Sequence, residues 1–301
     1  MPLQIKYEPQ ELSEIVGNRQ TIIALEAYLK KEDRNHVIML EGPYGTGKTV
    51  IAYIIANKLG CSEFDLMEID AGSERGVATA DALRGTIGFR PIQGKVKVYI
   101  IDEIQATSSK FQESLLKTTG KPPRHVYFIL CTTDPQKINK GLLSRSTRFQ
   151  TTKLPRNGIL RLIKNVLKEE KKEVPNDVLL EIAKVADGEP RSALVMLDQI
   201  IDLDPEDMQE VIREAQIEEK QIIDLCRSLI KGEKWAKVAQ ILKSLTAEPE
   251  KTRYAVLGYC NSVLLGDASP RAALIIDCFR EPFYSSGKAG LSLACYNVIV
   301  G

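Results

Sequence analysis

Along the first half of the chain, short apolar runs alternate with stretches in which apolar positions recur every three to four residues. Near-continuous apolar runs of strand length separated by amphipathic helices predict a parallel α/β sheet. The runs VIMLE (37–41), FDLMEID (64–70), VKVYII (96–101), VYFILC (126–131) and FQTTKL (149–154) predict its strands, the last ended by Pro155. Asn18 stands where a helix cap is expected, with Ile22, Leu25 and Leu29 recurring on one face behind it. The apolar segment TVIAYIIANKL predicts a helix directly after the first strand and its glycine-rich loop, stopped by Gly60.

Beyond Pro155 the pattern is helical only. GILRLIKNVLKEEKKE is amphipathic with a charged tail, PNDVLLEIAKVAD opens on Pro175 and Asn176, and RSALVMLDQIIDL follows Gly188. The acidic stretch DPEDMQE around Pro205 reads as a linker, and helical patterns resume after it. The expected architecture is an α/β domain over 1–154, a small helical domain over 155–205 and an all-helical domain over 206–301.

The chemistry lies in two motifs set on that frame. Gly42, Pro43, Tyr44, Gly45, Thr46, Gly47, Lys48 and Thr49 match G-x-x-x-x-G-K-[ST] between a strand and a helix, where backbone N–H groups and a helix N-terminus can cradle phosphate. Lys48 is placed for the β and γ phosphates of ATP and Thr49 for Mg²⁺, with Val50 as the next residue of the helix that contacts nucleotide. The strand VYIIDEIQ ends in adjacent carboxylates: Asp102 to hold Mg²⁺ and Glu103 to polarise the attacking water. Thr133, at the end of another apolar strand, is placed to sense the γ-phosphate. Arg145 in GLLSRSTRFQ and Arg191 in DGEPRSALVMLDQ are ordinary surface residues when read alone, and charge suppliers for phosphoryl transfer when read after such a core.

Composition narrows the classes without deciding among them. A formal net charge of +1 announces no global basic field, so any nucleic-acid reading must come from motifs. The six cysteines are scattered with no CxxC pair, which fits reduced core thiols and argues against a zinc knuckle. MPLQIKYEPQ has no basic region followed by an apolar stretch, so no signal peptide is expected, and no apolar run approaches the ~20 residues of a membrane span.

In this order, these residues resemble the clamp-loader branch of the AAA+ ATPases. KVYIIDEIQ, SLLKTTGKPPRHVYFILCTTDPQKI and LLSRSTRF are similar to the bacterial gamma/tau type, and MEIDAGSERGVATADALRGTI and IKYEPQELSEIVGN also to replication factor C small subunits. The resemblance is specific over residues 4–200. It implies an AAA+ P-loop sheet domain, a helical lid and a helical collar. It also implies that Tyr7, Pro9, Val16 and Gly17 flank the adenine, that Thr133 and Arg191 are the two sensors, and that Arg145 is a finger offered to a neighbouring subunit's ATP. The implied partners are primed DNA, a sliding clamp and other loader subunits in a homo- or hetero-oligomeric, pentameric ring. The implied location is cytoplasmic, at the replisome, or in the host cytoplasm for a phage-encoded version. Arg84, Arg90 and Lys110 match DNA-tracking positions loosely and equally suit a solvated helix face.

The departures from the family pattern are specific. KYRP reads KYEP, with Glu8 in the basic position. Ser144-Arg145-Ser146 keeps the arginine and loses the cysteine that follows it, and Gly120 and Lys121 replace an acidic pair before the double proline. The four-cysteine zinc module is missing, and the chain stops after about one collar's length, which suggests a compact version. Two other readings stay open: a related AAA+ motor that moves branched DNA, and a structural ring subunit that binds nucleotide but seldom hydrolyses it.

Overall fold

The computed structural model describes residues 1–70, 83–284 and 286–300. Part of the segment 67–87 that carries family resemblance, residues 71–82, lies outside the described residues. The chain forms two compact units, Met1–Leu203 and Asp204–Gly301.

In the first unit, α1 (Leu3–Lys6) and α2 (Arg19–Leu29) precede β1 (Val37–Glu41), then come α3 (Lys48–Lys58), β2 (Cys61–Asp70), a helical stretch α4 (83–87) and β3 (Val96–Asp102). They are followed by α5 (Ser109–Thr118), β4 (Val126–Thr132), α6 (Lys140–Arg145), β5 (Thr147–Gln150), α7 (Arg156–Glu170), α8 (Asn176–Val185) and α9 (Pro190–Ile200). The strands form one sheet in the order β2-β3-β4-β1-β5, every pairing parallel. Both faces are covered, as a parallel sheet requires. Ile38, Leu40, Val98, Ile100, Ile129 and Phe149 meet α2 and α3 through Ile22, Leu25, Ile51 and Ile55. The alternate residues Met39, Tyr99, Ile101, Phe128 and Leu130 meet Leu83, Phe111, Leu115 and Leu142 on the other side. The period of two along each strand thus feeds two cores.

Three local expectations are corrected. Asn18 does occupy the N-cap position of α2, but with φ 46° and no side-chain cap. Its amide accepts from Thr152 N–H at 2.8 Å and donates to Thr152 O at 3.2 Å, so it fastens α2 to the chain leaving β5. The last strand is Thr147–Gln150, not 149–154. Its partner β1 ends at Glu41, where the chain turns away; after one more ladder-like bond, Thr151 N–H to Glu41 O at 2.7 Å, no strand edge remains to pair with. The expected linker around Pro205 is the first turn of α10 (Pro205–Lys231), with Pro205 at its start and Glu206 and Asp207 at its positive end. A proline at N1 and acidic first-turn residues are helix-opening signals, and the same composition mimics a linker.

The second unit is helical: α10, α11 (Trp235–Ser244), α12 (Pro249–Asp267), α13 (Pro270–Cys278) and α14 (Gly287–Val300) enclose Leu225, Leu229, Val238, Val256, Cys260, Ile275, Phe279 and Val298. The buried Arg253 pairs with Glu250 at 2.9 Å and donates to Phe279 O and Arg280 O at 3.3 Å, joining α12 to the end of α13. Among the described residues, all six cysteines are unpaired thiols and no helix is long and apolar enough to cross a membrane.

One buried carboxylate fixes the approach to β3. Asp65 sits where the β2–β3 register shifts, and accepts from Ser62 Oγ at 2.6 Å and from the N–H groups of Gln93 and Gly94 at 3.0 and 2.6 Å. Burial alone would raise its titration point, but these bonds outweigh it and hold the carboxyl well below the usual range. Stabilisation from a depressed carboxylate is present above the unfolded value, near ~3.9, and fades as pH falls below it. Asp65→Asn should therefore lower stability at pH 7 by about 2 kcal/mol, or about 4–8 °C of melting temperature. The gap between variant and wild type should narrow as pH drops below ~4; equal melting temperatures at pH 7 would contradict the assignment.

Candidate phosphate-binding site

The C-terminal ends of β1, β3 and β4 lie side by side, with Glu41 opposite Thr132 and Ile101 opposite Leu130. Their order in the sheet gathers residues far apart in sequence at one edge. β1 delivers the glycine loop, β3 delivers Asp102 and Glu103, and β4 delivers Thr132 and Thr133.

The loop turns off β1 at Gly42, whose N–H donates to Thr132 O at 3.2 Å. A Cβ at Gly42 would stand 2.2 Å from Thr151 O and 2.3 Å from Thr151 Oγ1, so only glycine fits there. Thr46 Oγ1 donates to Pro43 O at 2.9 Å and lies 2.7 Å from Thr151 Oγ1, tying the loop to the end of β5. Tyr44 is exposed; Gly47, in a left-handed conformation, opens α3. Thr49 and Val50 follow in the first turn, each half-buried.

Lys48 is 5% exposed, and among the described residues its Nζ donates only to the Gly42 and Pro43 carbonyl oxygens, at 3.0 and 2.9 Å. Burial lowers its titration point, against the pull of the Glu103 and Asp102 carboxylates. A buried ammonium held only by neutral carbonyls is costly to keep charged unless an anion arrives. The loop oxygens occupy the coordination that phosphate oxygens would supply, so the site fits a polyphosphate.

Thr49 Oγ1 donates to Asp102 Oδ2 at 2.7 Å, and Asp102 Oδ1 accepts from Glu103 N–H at 2.9 Å. A hydroxyl and a carboxylate are hard oxygen donors of the kind Mg²⁺ prefers beside phosphate. Glu103 has φ 50°, rare for a residue with a side chain, and this turns it away from the line of β3. Its Oε2 accepts from Thr133 Oγ1 at 3.2 Å and from Gln105 Nε2. Lys48, Thr49, Asp102, Glu103 and Thr133 are thus assembled around one loop.

The other residues that the sequence singles out fall elsewhere. Arg145 ends α6, exposed, and its guanidinium donates to Leu116 O at 2.6 Å. No hydrogen bond links it to the loop among the described residues. A Cβ at Gly120 would lie 3.2 Å from Arg145 Nη1, the far end of that side chain. Ser146 donates to Leu142 O at 2.6 Å, a local role that needs no cysteine. Arg191 is the second residue of α9, exposed and without hydrogen bond or ion pair among the described residues. The Tyr7 hydroxyl donates to Glu170 Oε1 at 2.7 Å at the end of α7, and burial together with that bond pushes Tyr7 up to about 12. Pro9 and Val16 are half-buried, Gly17 abuts Leu154 and Glu8 is exposed. Arg84 on α4 donates to Ser114 Oγ at 2.5 Å, and Lys110 lies one turn before Ser114 on α5. Arg90 is exposed beyond α4, and no contact joins it to that pair among the described residues.

The structure adds residues that the sequence alone does not reveal. Gln105 and Thr132 brace Glu103 and Thr133, and Thr151 braces the loop from 105 positions away. Glu189 lies against Gly45: a Cβ there would be 2.9 Å from Glu189 Oε2. Its carboxylate accepts from Ser192 at 3.2 Å and pairs with Lys153 at 3.2 Å.

Residues 38–154 match the family model described as "ATPase family associated with various cellular activities (AAA)". The chain is 33% identical over 217 residues to DNA polymerase III subunit tau/gamma of Haemophilus influenzae, covering 65% of this chain and 32% of that protein. It is 34% identical over 216 residues to DNA polymerase III subunit tau of Bacillus subtilis, covering 65% of this chain and 38% of that protein. It therefore spans about a third of the length of these relatives. The solved Thermotoga maritima RuvB Holliday junction branch migration motor superposes with a TM-score of 0.60 at 20% identity, over 74% of this chain and 79% of that one. That likeness is one of fold.

The Glu189 carboxylate lies against Gly45 in the phosphate loop, where its charge should oppose a bound triphosphate. Glu189→Gln removes one negative charge from the loop's approach and should tighten ATP binding roughly fivefold, about 1 kcal/mol, by calorimetry at physiological salt. Unchanged or weaker binding would mean that the carboxylate does not face the bound phosphates.

Proposed function

We propose that the chain is an AAA+ ATPase and, among these, a clamp-loader subunit, using ATP to open a sliding clamp and place it on primed DNA. The reading rests above all on the buried Lys48 ammonium, held by loop carbonyls beside the Thr49–Asp102 pair and Glu103. The sequence relatives named as DNA polymerase III subunits favour this loader over a branch-migration motor, which shares the fold. The intact set Lys48, Asp102, Glu103 and Arg145 speaks against a purely structural ring subunit.

In this account the loop N–H groups, the N-terminus of α3 and Lys48 take the β and γ phosphates, with Tyr7, Pro9, Val16 and Gly17 around the adenine. Thr49 and Asp102 hold Mg²⁺, which when bound neutralises charge on the β and γ oxygens. Glu103 takes the proton of the attacking water through a carboxylate oxygen, and Thr133 keeps that carboxylate in place. Arg191 reaches the γ-phosphate from the helical lid, 155–205, so that lid position reports nucleotide state. The helices of 206–301 form the collar that joins subunits in a pentameric ring. Arg145 enters a neighbour's site, and Arg84, Arg90 and Lys110 follow the DNA backbone.

Primer–template DNA should accordingly stimulate steady-state ATP hydrolysis. Arg145→Ala should abolish that stimulation with ATP affinity retained, since a trans arginine is worth on the order of 10³-fold in related nucleotide hydrolases. Full DNA-stimulated turnover in Arg145→Ala would remove the finger assignment, and turnover indifferent to primed DNA would count against the loader.

A further inference from the structure

We propose that Gln105 is a positioning residue for hydrolysis, and that the buried Thr132 sets the direction in which its amide acts. The inference rests on the ATPase reading of Glu103 and goes one layer beyond it.

The direction of each bond follows from what each group can donate. A carboxylate only accepts, so the Gln105 atom facing Glu103 Oε2 must be the amide nitrogen. The same nitrogen reaches Thr133 Oγ1 at 2.7 Å. The amide oxygen then faces Thr132, whose hydroxyl donates to it at 2.7 Å. That hydroxyl is itself oriented, because it accepts from Asp134 N–H at 3.1 Å. Thr133 in turn donates to Glu103 Oε2 at 3.2 Å. Every donor and acceptor has one consistent direction: Asp134 N–H to Thr132, Thr132 to Gln105, Gln105 to Glu103 and Thr133, and Thr133 to Glu103.

The burial of these groups makes the arrangement stiff. Thr132 is fully buried at the end of β4, while Gln105 and Glu103 are half-buried on the turn after β3. A network of satisfied hydrogen bonds in such a place defines one side-chain arrangement. Both bonds to Glu103 go to Oε2. Among the described residues none goes to Oε1, which leaves that oxygen to meet the attacking water. Gln105 therefore anchors one carboxylate oxygen so that the other is aimed, and it links the carboxylate to the hydroxyl expected to sense the γ-phosphate. Gln105 itself touches no phosphate in this account; it acts through Glu103 and Thr133.

Four variants, read beside wild type and Glu103→Gln, test this. ATP affinity is measured by calorimetry and hydrolysis by steady-state kinetics with primer–template DNA. Gln105→Leu keeps the bulk and removes the amide; kcat should fall on the order of 10–100-fold, the cost of a misplaced catalytic group, while KM and ATP affinity stay near wild type. Thr132→Val should give part of the same loss and Thr132→Ser should restore it. Gln105→Leu combined with Thr132→Val should be no worse than Gln105→Leu alone, because Thr132 works through the amide. Wild-type kcat in Gln105→Leu would overturn the inference while leaving the ATPase reading intact. A loss of kcat matched by equal loss of ATP affinity, or additive losses in the double variant, would also overturn it. Equal turnover in wild type and Glu103→Gln would instead sink the ATPase reading itself.

Discussion

The molecule is organised around one tight reversal, in which the chain leaves β1 at Glu41 and enters α3 at Lys48. The loop between them is pressed onto the end of β5, with Gly42 against Thr151 and the Thr46 hydroxyl against that of Thr151. A side chain at position 42 would occupy the space of Thr151, and a shift of Thr151 would release the loop. The same segment continues to the helices behind it: Lys153 pairs with Asp187 and Glu189, and Leu154 N–H donates to Gly188 O at 2.9 Å. Loop geometry and the placement of α9 are therefore held by a single stretch, 151–154.

The sheet supplies the rest of the chemistry through its order. Placing β3, β4 and β1 next to one another sets Asp102 and Glu103, Thr132 and Thr133, and the loop at adjacent C-terminal edges. In an open parallel sheet this edge is where ligands bind. The strained φ of Glu103 belongs to the same design, because it turns the carboxylate off the strand toward Thr133 and Gln105. Strain of this kind persists where surrounding hydrogen bonds over-determine it.

What is legible in the sequence follows from range. VIMLE and the glycine loop are clear because each is encoded locally, by apolar run, loop composition and helix start; β1 begins and ends at the expected residues. The last strand is misplaced because its end depends on where a non-neighbouring strand stops. The helix at Pro205 reads as a linker because helix-opening residues and linker residues overlap. Thr151 carries no signal, since its partner lies 105 positions away. Gln105 sits in plain view in VYIIDEIQ, but its role needs the fold to bring β4 beside it. Arg145 shows the opposite case: the motif is readable, yet within one chain the guanidinium donates to Leu116 O, and its proposed role needs a neighbouring subunit.

The proposed function therefore turns on assembly, with Arg145 proposed to complete the nucleotide site of a neighbouring subunit. Mixing two inactive variants tests it directly. Glu103→Gln should bind ATP without hydrolysing it, and Arg145→Ala should keep its own site but offer no finger. If Arg145 acts in trans, an Arg145→Ala site facing a Glu103→Gln neighbour has every group it needs, and the mixture should regain DNA-stimulated hydrolysis that neither variant has alone. A mixture no more active than the sum of its parts would place Arg145 outside the neighbour's site and contradict the account.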